Sequence, residues 1–200
     1  MLFTLALMAQ TASLPADSKG AAITCASALA AQGGPNLSIE GSAVIMYLLV
    51  LSSSKDETSA PFVQTLNAAA ARVAQESQQV KSPDEIVAAC HLRFPVAWAS
   101  VTKPLPADRY ERGVLCTNMS GVYVGILRRA ARKSGDSGEL DRVTPRVSAI
   151  ANSISHADYQ AHGVHNEEEM DAQVPAIYVA SLKYGNSQAI FAACDAAYPR

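Results

Sequence analysis

Charge is sparse in this chain and balanced in sign. Only 17% of its 200 residues are charged, 18 acidic against 16 basic, for a net charge of −2. Such a chain exerts no long-range pull on nucleic acid or anionic lipid, so neither is an expected partner. Long apolar runs are also lacking. The longest, Ala43–Leu51 (AVIMYLLVL), has nine residues, where a bilayer span needs about 20. It reads as a buried core helix, and no transmembrane anchor is expected in the mature chain. None of the four cysteines forms a Cys-x-x-Cys pair, which removes zinc ribbons and thioredoxin-like redox sites. The sequence also lacks GxSxG, GxxxxGK[ST], GxGxxG and HExxH. No nucleophile elbow, phosphate loop or zincin helix is therefore visible, no catalytic residue is assignable, and no cofactor is implied.

What the chain does contain points to a helical globule. Apolar residues make up 49%, which argues against disorder. Alanine occurs 36 times. It is the best helix former and a poor strand former, so the expected fold class is all-α, with about eight helices. A chain of this length buries roughly 70% of its unfolded surface, enough for an ordinary core.

The first residues, MLFTLALMAQTAS, carry an apolar stretch from Leu2 to Ala9, followed by small residues at Thr11, Ala12 and Ser13. Residues 1–16 read as a secretory signal, although the first positive charge is Lys19 and the usual basic leader is missing. Export suits the cysteines. They are even in number and widely spaced, as structural disulfides in an oxidising compartment are.

An internal match selects the pairing. Residues 82–95 read SPDEIVAACHLRFP and residues 186–199 read NSQAIFAACDAAYP. Isoleucine (Ile86, Ile190), Ala-Ala-Cys (Cys90, Cys194) and an aromatic–proline pair (Phe94-Pro95, Tyr198-Pro199) recur at identical offsets. Each segment reads as a short helix stopped by proline. Ser82, Pro83 and Glu85 supply a cap, a first-turn proline and a capping-box acid, and Asn186 caps the second copy. Upstream, Pro61 is followed by Val63, Leu66 and Ala70, and Pro145 by Val147, Ile150 and Ile154, at matching steps along one helix stripe. More weakly, GAAITCAS around Cys25 resembles RGVLCTNM around Cys116.

The expected organisation is thus two related helical units, 17–95 and 108–200, joined by a proline-containing linker at 96–107. Each unit runs from a cysteine helix through an apolar helix and a proline-started amphipathic helix to a closing Ala-Ala-Cys helix. Duplication pairs Cys25 with Cys90 and Cys116 with Cys194. Closing loops of this size contributes on the order of 4 kcal/mol in the chain-entropy model.

The copies differ in one place. Pro61 to Cys90 is 29 residues, whereas Pro145 to Cys194 is 49. The additional segment, near 156–176, reads HADYQAHGVHNEEEMDAQVPA. Imidazole and carboxylate together suit zinc, copper or nickel, so His156, His162, His165 and Glu169 are the candidate metal ligands. The same residues also read as a capped helix start. Asn166 caps, Glu169 completes the box, and Met170, Val174, Ile177, Tyr178 and Leu182 form the stripe, with Pro175 a kink or late start.

Smaller signals read as structure. Gly135-Asp136-Ser137-Gly138 resembles the tetrapeptide around the nucleophile of chymotrypsin-like proteases. Those are β-barrels, and helical patterns flank it here, so it reads as a loop. Arg128, Arg129, Arg132 and Lys133 end the helix that begins near Cys116 and complement its negative terminus. Trp98 reads as packing between the units, and His91 as a surface residue. Asn36-Leu37-Ser38 and Asn118-Met119-Ser120 match glycosylation sequons.

The function these features favour is a non-catalytic binding or interaction module, periplasmic or secreted, with another envelope or secreted protein as partner. Three alternatives stand beside it. They are a transition-metal handling protein using the histidine-rich insertion, a hydrolase with a scattered site, and a carrier with an apolar cavity between the units.

Overall fold

Helix signals dominate the sequence, and in the computed structural model every regular element among the described residues (13–54, 61–101 and 103–198) is helical. The leader segment Leu2–Ala9, with Thr11 and Ala12, and also Pro199, lie outside the described residues. The order is α1 (Ser18–Gly33), α2 (Ile39–Ser53), α3 (Phe62–Ser77), α4 (Pro83–Arg93), α5 (Arg109–Ser134), α6 (Gly138–Ala151), α7 (His156–Ala161), α8 (Glu167–Ser181) and α9 (Ser187–Ala197). Short 3-10 turns at Gly34–Asn36 and Pro95–Ala97 follow α1 and α4.

Local chemistry sets most of the ends. Asp17, Ser38, Asp108, Asn166 and Asn186 each accept the N–H three residues on, at 2.6–3.0 Å. α7 carries a reciprocal Ser155–Asp158 box that the sequence reading missed. The expected box at Ser82 is absent. Ser82 holds the N-cap position without a side-chain bond, while Pro83 occupies the first helical turn as expected. Gly135, at φ 77°, closes α5 with its N–H on the Ala131 carbonyl at 2.8 Å.

The disulfides are Cys25–Cys90 and Cys116–Cys194, each with Cα atoms 5.7 Å apart. The first ties α1 to α4 and the second ties α5 to α9. All four cysteines are fully buried. The two closing segments end alike. Phe94 and Tyr198 both occupy the C-cap, with their N–H groups on the carbonyls of Cys90 and Cys194.

The middle of the second unit departs from the expected order. No separate apolar helix follows the Cys116 helix, because α5 runs unbroken for 26 residues. Nor does Pro145 start a helix as Pro61 does for α3. α6 begins at Gly138, seven residues earlier, and passes through Pro145. Pro145 is exposed and cannot donate the helical N–H bond at its position. Pro175 likewise lies inside α8.

The larger buried clusters separate along the chain. One gathers residues from Ala21 to Ala97 around Cys25–Cys90. The other gathers residues from Leu115 to Cys194 around Cys116–Cys194. Leu48, Leu127, Ile150 and Ile190 are the largest fully buried side chains. α2 bridges the two groups, packing on α1 and α3 on one side and on α5 and α9 on the other. Its Ile39 packs against the second cluster.

Candidate ligand-binding cleft

From Ala43 to Leu51 α2 is apolar on every face, which suits a helix with neighbours on several sides. One flank is nonetheless not fully covered. Val44, Leu48 and Val50 are buried, while Ile45, Met46 and Leu51 are half-exposed. This corrects the expectation of a wholly buried core helix. Its middle is fastened to the residue that closes α8. The Tyr47 hydroxyl donates to the Leu182 carbonyl at 3.1 Å. Nearby, the buried Asn186 side chain donates to the Ala97 carbonyl at 2.8 Å.

Beside these fastenings a cleft of about 690 Å³ opens between α2 and α5, within the roughly 300–1,000 Å³ range of small-molecule sites. From α2 and the turn before it come Leu37, Ile39, Ser42, Ile45, Met46 and Leu49. From α5 come Val122, Gly125, Ile126, Arg129, Ala130 and Lys133. Their spacing (i, i+3, i+4, i+7, i+8, i+11) is that of one helix face. Tyr178 of α8 adds an aromatic ring, held edge-on to Phe62 with centroids 5.8 Å apart. Burial pushes its hydroxyl pKa up, so it stays neutral. A Cβ built on Gly125 would meet nothing within 4 Å, so the groove is open above it.

The polar groups of this lining are few. The Ser42 hydroxyl is committed to the Ser38 carbonyl at 2.9 Å. Arg129 and Lys133 are exposed, and among the described residues neither has an ion pair or side-chain hydrogen bond. The lining contains no imidazole, thiol or carboxylate. Compared with known protein families, curated proteins and solved structures, the chain matches none. The cleft is therefore read on its own geometry.

The residues singled out from sequence lie elsewhere. His156 opens α7 on the surface. The His162 ring stacks on Tyr110 at 3.9 Å, nearly parallel, and its Nδ1 lies 2.8 Å from the Asp158 carbonyl. Glu169 turns its carboxylate to the His165 backbone N–H at 2.6 Å, one residue before the expected box partner. The structure does not assemble His156, His162, His165 and Glu169 into a centre. Among the described residues no three His, Cys, Asp or Glu side chains converge so as to hold a metal ion. Local bonds engage His162 and Glu169 where they stand.

Ser137 sits in the α5–α6 turn and donates to Asp141 at 2.7 Å, while Asp136 accepts the Gly138 N–H at 2.9 Å. The tetrapeptide is a helix-to-helix connection. Trp98 is half-buried against the first cluster, with the exposed His91 ring stacked on it at 4.1 Å. A second depression, over the linker prolines Pro104 and Pro106, borders Arg112. That guanidinium is already spent on the Pro106 and Ala107 carbonyls.

Sequence reasoning missed the α5 stripe although its spacing was legible. The four cations at its end matched a helix terminus and so drew a purely local explanation. Nothing local said that α2 would face two of them.

Proposed function

We propose that this protein is a non-catalytic binding protein of an oxidising compartment, periplasmic or secreted, and that the α2–α5 cleft takes an apolar small molecule. The observation that carries this reading is a groove between two helices, lined mainly by apolar side chains and without an imidazole, thiol or carboxylate. Single exposed apolar residues are ordinary, but a contiguous concave set marks a ligand or partner surface. The disulfides support the reading physically. Cys116–Cys194 fixes one wall of the groove, and Cys25–Cys90 fixes the α1–α4 support behind the other. A pre-organised site loses less entropy when it binds. Two disulfides, and the absence of any described helix long and apolar enough to cross a membrane, accord with that setting.

Uptake of a fluorescent naphthalene probe tests the reading, with Gly125→Phe as the cleft-filling variant. One probe per chain is expected for the native protein, and loss of uptake for the variant with its melting temperature retained. No uptake by the native protein, or unchanged uptake by folded Gly125→Phe, would overturn it.

A further inference from the structure

The cleft is graded from one end to the other. Val122 shares a small apolar gap with Met46 and Val50. Arg129 and Lys133 stand two and three turns further along the same face of α5. The stripe from Val122 to Lys133 spans roughly 16 Å at 1.5 Å per residue. One end of the groove is therefore aliphatic and the other carries two cations.

We propose that the occupant is a free fatty acid, with its carboxylate held by Arg129 and Lys133 and its chain laid along Val122, Ile126, Ile45 and Met46. The proposal rests on the binding reading above and deepens it. Charge complementarity carries it. Two cations one turn apart, without a lining carboxylate or any partner among the described residues, make a local positive field beside an apolar trough. The planar guanidinium matches a carboxylate in two parallel hydrogen bonds, and an ammonium adds a point charge beside it. A helix-terminus role accounts for Lys133, in the last turn of α5, but not for Arg129. The macrodipole acts within the last turn, where Arg132, off the cleft lining, also supplies charge. Arg129 lies five residues before the helix end at Ser134.

Calorimetric titration of the full disulfide-bonded chain with dodecanoate, dodecanol and dodecyltrimethylammonium, each below its micelle concentration, tests the head group. Dodecanoate is expected to bind at least tenfold more tightly than the other two, the scale of one charge-assisted hydrogen bond. R129Q/K133Q should remove that preference and leave dodecanol affinity unchanged. R128Q/R132Q should alter neither. Equal affinity for dodecanoate and dodecanol, or an unchanged preference in R129Q/K133Q, overturns the fatty-acid assignment and leaves the apolar-ligand reading intact. Failure of all three probes to bind the native chain overturns both. A native dimer that binds no probe makes a second copy the occupant and also ends the proposal. Should a variant not fold, the comparison of the three probes on the native chain still decides.

Discussion

Asn186 donates its side-chain N–H to the carbonyl of Ala97, 89 residues away in sequence, at 2.8 Å in a buried setting. The same side chain accepts the Ala189 N–H at 3.0 Å and so caps α9. One residue thus starts α9 and pins the 3-10 turn that follows α4. Asn186→Ala removes the cap and orphans a buried carbonyl. The expected cost is about 2–3 kcal/mol in urea unfolding. Asn186→Ser keeps a capping oxygen but cannot reach Ala97, and should recover about 1 kcal/mol of that. A loss below about 0.5 kcal/mol for Asn186→Ala would show that the bond across the units contributes nothing.

Two α5 glycines should respond oppositely to alanine. A Cβ on Gly113 would stand 2.5 Å from Cγ1 of the buried Ile154, whereas one on Gly125 would meet open groove. Gly113→Ala is expected to destabilise by about 1 kcal/mol, overpacking outweighing the gain in helix propensity. Gly125→Ala is expected to stabilise by about 0.5–1 kcal/mol. Melting temperatures of the pair decide, and a shift of the same sign in both would contradict the packing described.

Cys116→Ser with Cys194→Ser removes the α5–α9 staple and leaves Cys25–Cys90 in place. The expected loss is about 2–5 kcal/mol. Hydrogen exchange should accelerate first in α5, α6 and α9, whose cluster surrounds the lost bond. Acceleration confined to α1–α4 would be inconsistent with the two separate clusters.

Acid should weaken the fold through two carboxylates. The Ser155 backbone N–H, and then its hydroxyl, hold Asp158 below the usual aspartate range. The Arg142 guanidinium, through its hydrogen bonds, holds Glu139 below the usual glutamate range. Each group binds protons more readily in the unfolded chain. Their stabilisation is therefore complete above the unfolded values near pH 4 and is lost as pH falls through the lower folded values. The melting temperature should hold from neutrality to about pH 5 and decline below it. Asp158→Asn should lower it at neutral pH and flatten the acid limb. An unchanged acid limb in that variant would exclude the capping box as a contributor.

Much of the architecture was legible in short stretches of chain. Alanine abundance announced helices, and the caps at Asn166 and Asn186 act as read. The paired Ala-Ala-Cys segments point to both disulfides. Reading failed where a residue admits two local solutions. Pro145 suits a helix start, yet it lies inside α6, on an exposed face. His162 stacks on the Tyr110 ring and is not brought together with His156, His165 and Glu169, a placement that its own sequence neighbourhood does not encode.

Helix content, the caps at Asn166 and Asn186 and the cysteine pairing depend on neighbours in sequence or on a repeated pattern, so residue order alone was enough to indicate them. The cleft depends on how α2 and α5 diverge, which follows from packing between side chains some 80 positions apart. Val122, Ile126, Arg129 and Lys133 carry the same spacing whether or not another helix faces them. Only the folded arrangement sets two cations at the end of an aliphatic groove, because that juxtaposition is made by contacts no local pattern encodes.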